Sequence, residues 1–186
     1  NTIIKTNPLT AIWGPIPYTA EYRLVAEFTT SLSQATQIGV SYLSRSPILK
    51  LQEDSFPEIK LWIIRGYRLQ LSHKFYVKRK DKYAPRGFYF GPHISFSSAK
   101  VSAKDLIQYD VFFKITHFNV NILCGIQLIA GNKFAVDVFS GWGYKKNVWI
   151  EQTAPQRAVN VDMSDLPGAY TSNLKFTLGI NLGIVL

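Results

Sequence analysis

Leu174-Lys175-Phe176-Thr177-Leu178-Gly179-Ile180-Asn181-Leu182-Gly183-Ile184-Val185-Leu186 closes the chain, and every second residue, counted from Leu174, is large and apolar. The residues between are lysine, threonine, glycine, asparagine, glycine and valine. Side chains alternate between the two faces of a β-strand, so this run has one greasy face and one that is small or polar. Its thirteen residues exceed the usual strand of about 5–6. They suit a strand that crosses a bilayer at a tilt, which needs about 9–11.

The same alternation runs back through the chain. Phe134, Val136, Val138, Trp142 and Tyr144 alternate with Lys133, Ala135, Asp137, Gly141, Gly143 and Lys145. Phe118, Val120, Ile122, Cys124, Ile126 and Leu128 alternate with His117, Asn119, Asn121, Gly125 and Gln127. Phe88, Phe90, Ile94 and Phe96 alternate with Gly87, Gly91, His93, Ser95 and Ser97. Further segments run from Leu61 to Val77, from Gln37 to Tyr42 and from Tyr18 to Phe28. The opening segment, Thr2 to Trp13, is weaker, and Pro8 there removes a ladder donor and marks a bulge where parity slips. These segments predict eight strands in one domain over residues 1–186, an all-β, transmembrane, antiparallel up-and-down barrel.

Composition agrees with that reading. Charged residues make up 18% of the chain, below the roughly 25% of ordinary soluble domains. The longest uncharged run, Ile115 to Asn132, is interrupted by His117, Asn119, Asn121 and Gln127, all of one parity, which is a strand signature and not a helical one. One cysteine, Cys124, excludes an internal disulfide. No basic segment followed by an apolar one opens the chain, so an exported form would begin at or after a cleavage site.

Alternation alone also fits a water-soluble barrel, with the greasy parity turned inward. The charges separate the two readings. Glu21, Arg23, Glu27, Arg68, Lys74 and Asp137 share the polar parity and predict a charge network filling a narrow lumen. Trp13, Tyr18, Trp62, Tyr76, Trp142 and Tyr144 lie near strand ends, where membrane girdles sit. Two short connections, Thr30–Gln34 and Ile129–Asn132, and three long ones, Ser44–Glu58, Ser98–Asp110 and Glu151–Ser172, place both termini at the periplasmic end. Gly14–Pro17 is short where this order expects a long loop, and Lys78–Arg86 is long where it expects a turn.

Several stretches carry a family resemblance. Lys5-Thr6-Asn7-Pro8 opens the chain, Arg86-Gly87-Phe88-Tyr89-Phe90-Gly91-Pro92 starts a strand after a basic turn, and Gly125-Ile126-Gln127 precedes a tight turn. With the glycine-spaced last strand, these resemble the small OmpA/OmpW-like outer-membrane barrels, especially uncharacterised envelope barrels of Bacteroidota. The resemblance implies a Gram-negative outer-membrane location and a last strand read by the assembly machinery. That strand often ends in an aromatic residue in the group, and here it ends in Leu186.

Candidate chemistry is sparse. His93-Ile94-Ser95 resembles the His-x-Ser pair of some lipid A deacylases, but its parity points inward, as expected of a hydrogen-bonded lumen histidine. Cys124 has the opposite parity from His93 and His117, which argues against a metal site. Lys78, Arg79, Lys80, Lys82 and Arg86 form a basic periplasmic turn, either solvated or facing anionic lipid. The net charge of +9 comes with no nucleic-acid recognition motif. Arg65 and His73 fall on the greasy parity, and Arg65 is placed to meet a lipopolysaccharide phosphate. The expectation is a non-enzymatic barrel with a filled polar lumen and no cofactor. Its role is structural or accessory, as a subunit of a larger envelope complex, with outer-membrane lipid, lipopolysaccharide and other outer-membrane proteins as partners. A narrow solute channel and a lipid A-modifying acyl hydrolase are the alternatives.

Overall fold

The computed structural model describes residues 2–12, 14, 19–47, 62–77, 84–103, 112–131, 133–153, 157–160 and 172–186. Its strands are β1 (Thr2–Thr6), β2 (Thr19–Ser31), β3 (Gln34–Arg45), β4 (Trp62–Tyr76), β5 (Gly87–Ala103), β6 (Phe112–Ala130), β7 (Phe134–Thr153), β8 (Arg157–Asn160) and β9 (Leu174–Val185). Each barrel strand pairs antiparallel with its neighbours in the chain, and β9 pairs with both β7 and β1. The result is a closed eight-stranded up-and-down barrel. The short β8 folds back on the last residues of β7, beyond the level where β9 begins.

The register sets the barrel's shape. Ile4 faces Ala26, and the line continues through Ile38, Leu71, Ile94, Val120 and Tyr144 to Leu174. Ile4 itself pairs with Ile184, and 184 − 174 gives a stagger of ten residues. With about 3.3 Å of rise per residue and about 4.8 Å between strands, eight strands so staggered tilt by about 40° and enclose a radius of about 8 Å. Side chains can fill such an interior.

Parity sorts those side chains. Lys5, Glu27, Gln37, Ser41, Arg68, Ser72, Lys74, His93, Ser95, Asn119, Asn121, Gln127 and Asp137 are buried inside. The outer wall carries exposed Leu24, Ile38, Val40, Leu69, Leu71, Ile122, Leu178 and Leu182. Aromatic residues gather at two levels of this wall. Tyr22, Tyr42 and Tyr67 are register partners on one level, where Tyr67 meets Phe96 at 6.1 Å and Trp142 meets Phe176 at 6.0 Å. Phe75 and Phe90 mark the other, with rings 5.8 Å apart. Tyr67 and Phe75 are eight residues apart on β4, about 20 Å along the axis at this tilt.

Four expectations need correction. Tyr76 does not join a girdle: it is buried, faces inward and hydrogen-bonds Glu27 at 3.4 Å. Pro8 does not bulge a long first strand. β1 stops at Thr6, and Pro8 opens the 3₁₀ turn Leu9–Ala11, whose Leu9 and Thr10 amides donate to the Asn7 side-chain oxygen at 3.1 and 3.3 Å. The long connections begin later than expected because β3, β5 and β7 run on to Arg45, Ala103 and Thr153. Glu151 therefore belongs to β7. The stretch read as one connection from Glu151 to Ser172 also contains β8. Trp13, Tyr18, most of Gly14–Pro17 and Lys78–Lys82 lie outside the described residues.

Pro92 interrupts the β4–β5 ladder, since it has no N–H to donate. At that gap the two backbones come so close that a Cβ on Gly91 would collide with the His73 carbonyl oxygen. Gly91→Ala is expected to cost about 1–3 kcal/mol of stability, read as a lower urea midpoint of the refolded barrel. An unchanged midpoint would show that the strands can part there freely.

Candidate functional site

The interior charges form two layers. The first lies near the end that holds Thr2, Leu186 and the tight turns after β2 and β6, here the tail end. Lys5 reaches from β1 to Glu27 at 2.7 Å and Asp137 at 3.1 Å. Lys74 reaches from β4 to Asp137 at 2.7 Å and Glu27 at 3.1 Å. Two ammonium groups thus alternate with two carboxylates, and the layer is neutral. Gln127 accepts from both lysines, at 2.6 and 3.0 Å, and donates to Glu27 at 2.7 Å. Gln37 donates to Glu27 at 2.6 Å, and the Tyr89 hydroxyl donates to Asp137 at 2.6 Å. Lys74 also lies 3.9 Å from the Tyr89 ring centroid. Desolvating four charges costs several kcal/mol apiece, offset only when each is paired and its remaining hydrogen-bonding sites are met. This layer meets that condition, and it crosses the lumen from β1 and β2 to β6 and β7.

The second layer lies toward the loop end, where β3, β5 and β7 finish. Its centre is Glu21, six positions from Glu27 along β2, about 20 Å of strand. Arg23 grips Glu21 with Nε at 2.8 Å and Nη2 at 2.9 Å. Arg68 adds a bond at 3.1 Å, Ser41 one at 2.7 Å and Gln70 one at 3.3 Å. Between the layers lies a cavity of about 470 Å³, with Tyr89 and Asp137 at its floor and Arg23, Arg68, His93 and Lys175 on its sides.

All six residues expected in the lumen network are inside, and the structure divides them. Glu27, Lys74 and Asp137 belong to the first layer, and Glu21, Arg23 and Arg68 to the second. Sequence reasoning missed Lys5, which joins three other strands, and Lys175. It also missed Tyr89, which faces inward between the outward Phe88 and Phe90.

The remaining candidates are simply placed. His93 hydrogen-bonds Ser72 at 3.1 Å, while Ser95 accepts from Arg68 and Asn119 at 3.1 Å each; none of these bonds joins His93 to Ser95. His117 bonds its register partner Asn147 on the adjacent strand. Cys124 is exposed on the outer face, and no group of three metal-ligating side chains occurs among the described residues. His73 is satisfied by Thr36 at 2.9 Å and packs edge-on against Phe75, with ring centres 4.7 Å apart. Arg65 stands outward, two positions beyond Tyr67 toward the loop end. It shares a register row with the exposed Lys100 and Lys114 of β5 and β6. Of the basic turn only Arg86 is described, and it is half-buried beside Gly87.

No helix among the described residues is long and apolar enough to cross a membrane, which says nothing of a barrel. No family model, no curated protein and no solved structure matches the chain.

Proposed function

We propose that this chain is an integral outer-membrane β-barrel of a Gram-negative envelope, with both termini periplasmic and a structural or accessory role, as a subunit of a larger envelope complex. One observation carries the reading: the apolar parity covers the outside and the charged parity the inside. Water favours the reverse, since exposing so much apolar wall and burying so many charges both cost free energy. A hydrocarbon surround removes the first cost, and the ion pairs offset the second. The two aromatic levels, about 20 Å apart along the axis, suit the girdles of an apolar band about 25 Å tall. The row Arg65, Lys100 and Lys114 just beyond one level suits the phosphates of lipopolysaccharide.

The neutral layer across the tail end supports a closed lumen over a solute channel. In planar bilayers the purified barrel is expected to give no steady conductance steps; reproducible steps would favour the channel. A protease site inserted between Leu32 and Ser33 should be protected in intact cells and cut once the outer membrane is opened. One inserted at Asp162 should be cut in intact cells. The reverse pattern would overturn the orientation, and cutting of both in the soluble fraction would overturn the membrane reading.

A further inference from the structure

The tail-end layer is neutral, but the chamber beyond it is not. Arg23, Arg68 and Lys175 face the cavity, and Glu21 is the carboxylate of their layer. Asp137 at the floor is already held by Lys5 and Lys74. Both arginines are bound to Glu21. The Lys175 ammonium has no hydrogen bond or ion pair among the described residues, and the buried Nε of Arg68 has no acceptor. Among the described residues the chamber wall therefore carries an excess of two positive charges, with Lys175 as its unpaired ammonium group. Cations gathered there, Arg68 buried and Arg23 and Lys175 half-buried, call for a counter-anion.

We propose that the chamber is an anion site that takes a phosphate or phosphate monoester. A dianion matches the excess of two charges. Its several oxygens can meet the Lys175 ammonium and the Arg23 and Arg68 guanidinium groups on the chamber wall together, as a single halide could not. The volume of about 470 Å³ leaves room for an organic group on the ester. The wall admits such a group. The β1–β9 ladder stops at Thr6 and Leu182, and beyond it the cavity is bordered by Asn7 and Thr10 on one side and Phe176–Gly179 on the other. A lipid phosphate can enter through this seam, and a soluble phosphate ester by the same opening. The site is read from the interior alone and holds wherever the barrel resides.

The test uses the whole chain in maltoside micelles, which carry no phosphate. Inorganic phosphate is titrated calorimetrically, and a short-chain phosphatidic acid is titrated in parallel with the matching phosphatidylcholine. Lys175→Gln is expected to weaken binding by about tenfold or more, while Lys175→Arg keeps most of it, since loss of one charged partner is worth at least that factor. Lys146→Gln, on the exposed outer face, should change nothing. Binding of inorganic phosphate that depends on Lys175 identifies a soluble anion. Lys175-dependent binding of phosphatidic acid alone identifies a lipid headgroup. Failure of both probes, or binding that Lys175→Gln leaves intact, overturns the site.

Discussion

Asp137→Ala is expected to lower the stability of the folded barrel by about 3–5 kcal/mol, the cost of leaving a buried charge without its partner. Asp137 accepts from Lys74 at 2.7 Å, Lys5 at 3.1 Å and Tyr89 at 2.6 Å. Its removal leaves two ammonium groups sharing one carboxylate, Glu27. The measurement is the urea midpoint in detergent or lipid. The double variant Asp137→Ala with Lys74→Met restores neutrality and should recover much of the loss, because deleting both members of a buried pair costs far less than deleting one. A single variant that loses under about 1 kcal/mol would mean that water reaches the layer and solvates the orphaned charge.

Ile122→Arg has the next largest expected effect. Ile122 is 70% exposed on the outer wall and pairs with Trp142 across the β6–β7 ladder. Its level lies between the two aromatic belts, so in a bilayer the arginine sits near the midplane and costs about 2–4 kcal/mol. Val148, 41% exposed, lies on the same outward parity of β7, beyond the belt that includes Trp142. Val148→Arg there should cost about 0–1 kcal/mol. Refolding into vesicles and comparing urea midpoints measures both. Equal costs would mean the wall faces water at both depths and would remove the support for the membrane reading.

Parity made most of the barrel legible. It located all eight strands, the first only weakly, and turned Glu21, Arg23, Glu27, Arg68, Lys74 and Asp137 inward. It failed where a strand was too short to establish a period. β1 has five residues before Asn7 and Pro8 end it, so nothing local marked Lys5 as an inward cation. Tyr76 was misplaced for a different reason. Its neighbours Phe75 and Val77 take the outward parity, and that alternation prevails over the tendency of aromatic residues at strand ends to face lipid. The division into two layers was not legible, because it depends on height along the barrel axis. Lys175 shares a layer with Arg23 and Arg68 only through the ten-residue stagger, which emerges when all the ladders are closed. The cavity between the layers follows from that same stagger.

The placement of Lys5 has a consequence for how the ring finds its alignment. Sliding β1 by one residue would turn every side chain to the wrong face, and the greasy pattern opposes that. Sliding it by two residues keeps every face correct, so the pattern is blind to it. The ladders help little, since β1 meets β2 over four residue pairs and β9 over four. After such a slip Ile3 or Asn7 would stand where Lys5 meets Glu27, Gln127 and Asp137. Two carboxylates would then face Lys74 alone. Lys5 therefore acts as a proofreading key: a first strand seated one step too high or too low leaves a negative charge stranded in the wall's interior, and only the correct notch cancels it.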